Sequence, residues 1–215
     1  MSGLVAVLGH RGMLGRRVLE AFPDAVTFDE RYTGKQHDPL LEALKDVHPD
    51  WVINCIGALF DEPDLWSVNA ILPHRLHHRW KLIQPSTDHV WDDSEYARSK
   101  HLGECGTVIR CAIVDPAGGM LARAREADTV GDVNREWNGI TTKWWARIAG
   151  EVIAGRYSGL VTPGSPTISH FDLLETARRT FGWQTVTRVG SPRPWTASPA
   201  DPLLPPIGEQ LAEYL

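Results

Sequence analysis

Tyr96 and Lys100 are the pair of residues in this chain whose types and spacing most directly suggest chemistry. A Tyr-x-x-x-Lys spacing puts the phenol and the ammonium on one face of a helix. A nearby ammonium favours the phenolate, so we expect Lys100 to lower the pKa of Tyr96 and Tyr96 to exchange a proton with a carbonyl being reduced. Thr87 follows an apolar run, and its hydroxyl could hold the same carbonyl oxygen. Thr87, Tyr96 and Lys100 therefore predict a catalytic site for hydride transfer.

Four residues near this site or able to reach it are candidates for substrate binding. Asp88 and His89 could donate a proton to a substrate carbon, or they could anchor the loop. Trp91 and Trp137 could stack on a sugar or a base, and packing in the core is the alternative. The histidines at 74, 77 and 78 lack a carboxylate or cysteine in a recognisable metal pattern, so we expect a solvated face and no metal.

A glycine-punctuated turn, GHRGMLG, follows the first apolar run and opens the first helical pattern. Gly9, Gly12 and Gly15 would let backbone N–H groups and the helix dipole converge on a pyrophosphate, with Met13 and Leu14 in the first helical turn. An ordinary strand-to-helix turn is the alternative. Because the turn lies at the first junction of a βαβ pattern, we expect it to bind a dinucleotide.

Two charged residues bear on the cofactor and point in opposite directions. Asp29 lies at the end of the second strand-like run, where a carboxylate can accept hydrogen bonds from the ribose 2′-OH, which favours NADH. Arg11 lies within the turn and could grip a 2′-phosphate, which favours NADPH. The choice between NADP and NAD stays open, and we lean to NADP.

Apolar strand-like runs alternate with helical patterns through the first half of the chain, which predicts an α/β fold of the Rossmann type with a doubly wound parallel sheet. The runs are LVAVLG, AVTF, WVINCIGA, KLIQPS and TVIRCAIV, and the helical patterns lie near 12–22, 38–47, 64–80 and 96–104. We expect an NAD(P)-binding core over 1–115. Residues 116–215 would form a small, reduced substrate lobe and a proline-rich C-terminal wrap, in one compact unit with the core.

Composition narrows the possible partners. A formal net charge of −5 argues against nucleic acid, since phosphate neutralisation needs clustered basic residues. Three cysteines without a CxxC pairing favour a reducing compartment. With no signal peptide and no apolar run long enough to span a bilayer, we expect a cytoplasmic protein that does not contact a membrane.

The motifs together resemble the extended short-chain dehydrogenase/reductase superfamily, in the branch of dTDP-4-dehydrorhamnose reductase and GDP-L-fucose synthase. The segments that carry the resemblance are GHRGMLG, PDWVINCIGA, STDHVWDD, YARSKHLGE and VIRCAIV. The resemblance implies that Thr87, Tyr96 and Lys100 are the catalytic triad and that Tyr96 and Lys100 also contact the cofactor. It places Cys55, Ile56, Gly57 and Ala58 beside the cofactor and makes Asn69 a buried helix asparagine. The implied function is NAD(P)H-dependent reduction of a nucleotide-linked 4-keto-deoxysugar.

The chain also departs from the family pattern on the substrate side. Only eight residues separate Thr87 from Tyr96, where family members usually carry a longer loop. His89 replaces a tyrosine, and the segment AGGMLARAREADTVGDVNREW is shorter than its counterpart. A smaller substrate, a second subunit in a homodimer, or cofactor binding without catalysis would each account for this. A regulatory or sensor subunit is therefore the alternative function, and a nucleotide-sugar epimerase is the third.

Overall fold

The computed structural model describes residues 3–60, 62–126, 129–183, 186–190 and 196–215. Its strands are β1 (Val5–Leu8), β2 (Val26–Thr27), β3 (Trp51–Asn54), β4 (Lys81–Ser86), β5 (Thr107–Arg110), β6 (Ile113–Val114), β7 (Thr129–Asp132), β8 (Glu136–Trp137), β9 (Ile140–Thr141), β10 (Leu160–Val161), β11 (Ile168–Ser169) and β12 (Val186–Val189). Its α-helices are α1 (Met13–Ala21), α2 (Pro39–Val47), α3 (Leu72–His77), α4 (Glu95–Leu102), α5 (Gly119–Glu126), α6 (Thr142–Ile153), α7 (His170–Phe181) and α8 (Ile207–Ala212). In the proline-rich C-terminal wrap predicted within 116–215, residues 184–185 and 191–195 lie outside the described ranges.

Six strands form a parallel sheet in the order β10-β5-β4-β3-β1-β2. Ala6 of β1 pairs with Val26 of β2 on one side and with Val52 of β3 on the other, so the sheet extends from β1 in both directions and the strand order reverses there. In open α/β sheets this switch point is where ligands bind, at the carboxyl ends of the strands. The predicted Rossmann-type fold is confirmed, and the glycine turn, the segment after β3 and Thr87 all follow strands at this edge.

Local sequence explains where the helices of this sheet begin. Asp38 caps α2 by accepting hydrogen bonds from the amides of Leu40 and Leu41, and Pro39 fits the first helical position. Ser94 caps α4 in the same way through the amide of Ala97. One face of the sheet is then covered by α2 and α3 in a cluster that contains Ala6, Leu8, Leu40, Leu41, Leu44, Val52, Leu72, Leu76 and Leu82.

The chain divides into two compact units, the first of residues 1–110 and 146–161 and the second of residues 111–145 and 162–215. The second unit contains short two-stranded pairings and its own apolar cluster, in which Trp137 packs with Leu173 and Leu211. Ser169 caps α7 by accepting a hydrogen bond from the amide of Asp172 at 3.0 Å. No helix in the described ranges is long and apolar enough to cross a membrane.

Candidate active site

The glycine turn brings helix α1 close to the end of β1. Gly9 adopts φ +70°, a left-handed conformation that glycine reaches without strain, and its carbonyl accepts a hydrogen bond from the Gly12 amide at 2.9 Å. A Cβ on Gly15 would lie 2.1 Å from the Gly9 oxygen, so only glycine allows the helix this approach. At Gly12 a Cβ would lie 3.3 Å from the same oxygen, a much milder contact.

The start of α1 fits a phosphate group. Within the described residues no side chain caps this helix, which leaves the amides of Met13 and Leu14 at the positive end of the helix dipole. Such an end binds anions through its N–H groups. The backbone of Gly9–Gly15 can therefore hold the pyrophosphate of a dinucleotide.

Arg11 and Asp29, which favour different cofactors, form an ion pair with each other. Their side chains are 73% and 79% exposed, so the pair is open to solvent. In this chain each residue is held by the other, because the fork of Arg11 donates to the carboxylate of Asp29. Gripping a 2′-phosphate with Arg11 would therefore require the pair to open.

The segment after β3 is fixed by buried asparagines. Asn54 accepts a hydrogen bond from the Ile56 amide at 3.1 Å. Asn69, 3% exposed, accepts from the Ala58 amide at 3.0 Å and donates to the Ala58 carbonyl at 2.9 Å and to the Ser99 hydroxyl at 3.2 Å. Because Ser99 lies on α4, Asn69 ties the end of β3 to the helix that carries the candidate catalytic pair.

Asn69 lies in a π-helical turn, Ser67–Ile71, inside the region predicted as one helix over 64–80. Such turns are rare and concentrate at functional sites. The structure places Asn69 where the family resemblance implies, buried within a helix.

Lys100 points to the segment that Asn69 holds. A Cβ on Gly57 would lie 3.2 Å from the Lys100 ammonium, so the absence of a side chain at Gly57 makes room for the lysine. Burial lowers the pKa of Lys100 from 10.5 to about 8, because the charged form loses hydration. Near neutral pH the ammonium is thus present and close to its titration point.

The pKa of Tyr96 differs from the sequence-based expectation. Burial raises it, the charge of Asp88 raises it further, and a hydrogen bond with Thr87 opposes the rise. The pKa of Tyr96 is thus raised, not lowered as expected from Lys100, because desolvation of the phenolate is the largest cause of its shift. The Tyr96 phenol keeps its proton at neutral pH and sits beside the hydroxyl predicted to share a carbonyl oxygen with it.

Phe60 is a site residue that the sequence reasoning missed. Its ring packs on that of Tyr96 with centroids 4.5 Å apart, yet 61% of the residue is exposed. The signal in the sequence was an aromatic residue two positions beyond Ala58, close to the carboxyl end of a central strand.

The four predicted substrate residues lie in different surroundings. Asp88, His89 and Trp91 belong to a 3₁₀ turn, Asp88–Trp91, directly after Thr87. Trp91 is 71% exposed, with the Arg110 guanidinium 5.5 Å from its ring centroid and the His101 ring at 5.7 Å. Trp137 is buried in the apolar cluster of the second unit, an arrangement typical of core packing.

Ser86 supplies a further polar group at the end of β4. Its hydroxyl is buried and has no hydrogen-bond partner among the described residues. A buried polar group without a partner costs free energy unless a ligand satisfies it. The position next to Thr87 suits a cofactor or a substrate.

Neither the protein-family models nor the curated proteins give a match to this sequence. Solved structures do match. A dTDP-4-dehydrorhamnose reductase from Bacillus anthracis, in complex with NADP, has a TM-score of 0.80 at 15% identity, with 100% of this chain and 98% of that chain covered. The Clostridium acetobutylicum enzyme of the same name has a TM-score of 0.77 at 18% identity, with coverages of 98% and 97%.

This chain has the fold of these dTDP-4-dehydrorhamnose reductases. A UDP-N-acetylglucosamine 4-epimerase from Bacillus cereus is also similar, with a TM-score of 0.67, 17% identity and coverages of 97% and 94%. The resemblance predicted from the motifs is thus confirmed at the level of the fold. Reductases and an epimerase share this fold, so the assignment of chemistry depends on the side chains.

Proposed function

We propose that this chain is an NAD(P)H-dependent reductase of a nucleotide-linked 4-keto-deoxysugar. The observation that carries the proposal is the position of three side chains: Thr87 follows β4 at the carboxyl edge of the sheet, and Tyr96 and Lys100 lie on the next α-helix, α4. A hydrogen bond with Thr87 opposes the rise in the pKa of Tyr96. Lys100 lies on the same helix as Tyr96 with its ammonium against Gly57. An alcohol, a protonated phenol and an ammonium at the end of parallel strands suit proton transfer to a carbonyl oxygen.

The residues around the site fit a dinucleotide. The amides of the Gly9–Gly15 turn would hold its pyrophosphate, and the segment Cys55–Ala58 with Lys100 would hold the nicotinamide ribose. The lack of a Cβ at Gly57 and at Gly15 and the unpartnered hydroxyl of Ser86 support this fit. When bound, NAD(P)H supplies a hydride.

Each catalytic side chain then has a distinct task. The raised pKa of Tyr96 keeps its phenol protonated, so it can give a proton to the oxygen of the carbonyl as charge develops there. Thr87 orients that oxygen through its hydroxyl. The ammonium of Lys100 stabilises the phenolate left after transfer, because an adjacent positive charge favours the ionised form.

The substrate class is proposed from the neighbours, whose names specify dTDP-4-dehydrorhamnose as the compound reduced. We extend this to a nucleotide-linked 4-keto-deoxysugar, without nucleic acid or membrane as partners. A homodimer and a cytoplasmic location remain part of the proposal.

A regulatory or sensor subunit that binds NAD(P) without turnover is the second candidate. Phe60 favours it, because its ring already packs on Tyr96, where a substrate must approach. Replacing Phe60 with alanine would uncover the phenol without touching the three catalytic side chains.

Turnover assays distinguish these functions. Wild type and Phe60→Ala are incubated with NADPH or NADH and a panel of nucleotide-linked keto sugars, and both cofactor oxidation and sugar products are measured. The proposal predicts one cofactor oxidised per sugar reduced. Conversion of a sugar without net cofactor oxidation would indicate an epimerase, and tight cofactor binding with no product in either protein would favour the regulatory subunit.

A further inference from the structure

The residues that follow Thr87 form a row of polar side chains leading away from Tyr96. Thr87 Oγ1 lies 3.3 Å from Asp88 Oδ1, and His89 Nε2 lies 3.8 Å from that same carboxylate oxygen. On its other side, His89 Nδ1 lies 2.9 Å from Asp92 Oδ2. A hydrogen bond with Thr87 lowers the pKa of Tyr96, so the polar groups follow one another from the phenol to Asp92, and the widest step is the 3.8 Å between His89 and Asp88.

Asp92 fixes the orientation of the histidine ring. An ionised carboxylate can only accept a hydrogen bond, so the short contact assigns a proton to His89 Nδ1. The same contact turns Nε2 toward Asp88. A histidine held by a carboxylate at one nitrogen can take up and release a proton at the other.

The row extends from a buried region to the surface. Thr87 is 8% exposed, whereas the side chains of Asp88, His89 and Asp92 are 17%, 28% and 32% exposed. Water therefore reaches the histidine more readily than it reaches the hydroxyl of Thr87.

These side chains are not needed to hold the turn that carries them. The His89 amide donates to Thr87 Oγ1 at 3.1 Å, and the Asp92 amide donates to the His89 carbonyl at 2.9 Å. These two bonds, one to the Thr87 hydroxyl and one between backbone groups, close the 3₁₀ turn without the imidazole. The pairing of His89 with two carboxylates is thus additional to the bonds that close the turn.

We propose that His89 resupplies protons to Tyr96 through Asp88 and Thr87, with Asp92 as a positioning residue. The inference rests on the proposed reductase function. After Tyr96 has given its proton to the carbonyl oxygen, the Thr87 O–H bond breaks toward the phenolate while Thr87 takes a proton from the Asp88 carboxyl. Asp88 takes its proton from His89, and His89 takes one from water. One proton is consumed per carbonyl reduced, and the relay itself involves no change in oxidation state.

The first test measures turnover with NADPH and a nucleotide-linked 4-keto-deoxysugar. His89→Ala should lower kcat by about tenfold or more, a smaller effect than direct acid catalysis because His89 acts through two other groups. The KM for NADPH should stay unchanged, and added imidazole should restore kcat. His101→Ala is the matched control, since His101 also contacts a carboxylate three residues further on, with Nδ1 3.4 Å from Glu104 Oε2. It should keep its kcat and show no response to imidazole.

A second readout needs neither cofactor nor turnover. ¹⁵N nuclear magnetic resonance of labelled histidine should show the neutral ring of His89 with its proton on Nδ1. Asp92→Asn should change these resonances, and Asp93→Asn should not, because Asp93 is fully exposed and contacts Arg98. A proton on Nε2 of neutral His89 would overturn the relay.

The possible outcomes distinguish a failure of the proton relay from a failure of the proposed reductase function. Turnover in wild type with an equal kcat in His89→Ala overturns the relay alone. A kcat lost in His89→Ala but not restored by imidazole also counts against it, because a structural defect explains that result. A wild type that reduces no keto sugar overturns the reductase function and the relay together.

Discussion

The two ends of the candidate cofactor site are built differently. At the proton-transfer end, Asn69 is 3% exposed and makes three hydrogen bonds, to Ala58 and to Ser99. At the end that would hold the ribose with the 2′-OH or 2′-phosphate, Arg11 and Asp29 form only a solvent-exposed ion pair. Removing the hydrogen-bond partner of a buried polar group costs free energy of folding, whereas an exposed ion pair contributes only about 0.2–1 kcal/mol to it. The geometry around the candidate catalytic residues is thus fixed, and the ion pair proposed to select the cofactor can rearrange.

The largest effect should come from breaking the buried end. Asn69→Ala leaves the amide and carbonyl of Ala58 without their hydrogen-bond partner. Each unpaired group should cost about 1–3 kcal/mol of folding stability. Urea denaturation should show this loss in the free energy of unfolding, and Arg11→Ala, at the exposed end, should show almost none. Equal losses in the two variants would remove the distinction between the ends.

The glycine turn allows a comparison of two neighbouring positions. Gly15→Ala should destabilise the turn by about 1–3 kcal/mol, the range for inserting a methyl group where there is no space, because its Cβ would lie 2.1 Å from the Gly9 oxygen, and NAD(P)H binding should weaken with it. Gly12→Ala should have a smaller effect, since its contact is 3.3 Å and its φ is −74°. Fluorescence titration measures both affinities, and a larger loss in Gly12→Ala would contradict the proposed packing.

At the exposed end, removing the charge of Arg11 and removing the charge of Asp29 should change the affinity for NADPH in opposite directions. Arg11→Ala removes the group proposed to grip a 2′-phosphate, so NADPH should bind more weakly by roughly 1–3 kcal/mol while NADH changes less. Asp29→Asn releases Arg11 and removes a repelling charge, so NADPH should bind more tightly and NADH more weakly. Titrations of both cofactors against both variants check this. A wild type that prefers NADH, with Arg11→Ala unchanged, would show that Asp29 decides the choice.

The smallest effect near neutral pH concerns Lys100. Burial holds the pKa of Lys100 at about 8, and an anionic cofactor favours the ammonium, so binding should take up protons above that pH. NAD(P)H affinity should then fall with rising pH, by at most tenfold, or about 1.4 kcal/mol, per pH unit. Calorimetry in buffers of different ionisation enthalpy measures the uptake. Lys100→Met should bind more weakly with little pH dependence, and an unchanged pH dependence would exclude Lys100 as the source.

The fold followed from the sequence because its signals are local. Apolar runs such as WVINCIGA, glycine at a strand-to-helix junction, and caps such as Asp38 and Ser94 each act over a few residues. The positions of β1, β3, β4, α1, α2 and α4 were therefore predictable, whereas the single run TVIRCAIV is divided between β5 and β6, which belong to different sheets.

The site was less predictable where it depends on distant contacts or on burial. Arg11 and Asp29 form an ion pair, whereas the sequence showed only that one residue favours NADPH and the other NADH. The pKa of Tyr96 rises because the fold buries the phenol, and no spacing of residues reveals that burial. The packing of Phe60 on Tyr96 likewise depends on the path of the chain after β3.

In the proposed reaction Tyr96 donates the proton to the oxygen of the keto sugar. The most direct measurement is kcat for Tyr96→Phe, with saturating NADPH and a nucleotide-linked 4-keto-deoxysugar, beside the cofactor dissociation constant. The account predicts that kcat falls by at least about 10²-fold, the lower bound for general acid catalysis, while NADPH binds as in wild type. A Tyr96→Phe protein that turns over as fast as wild type would contradict it.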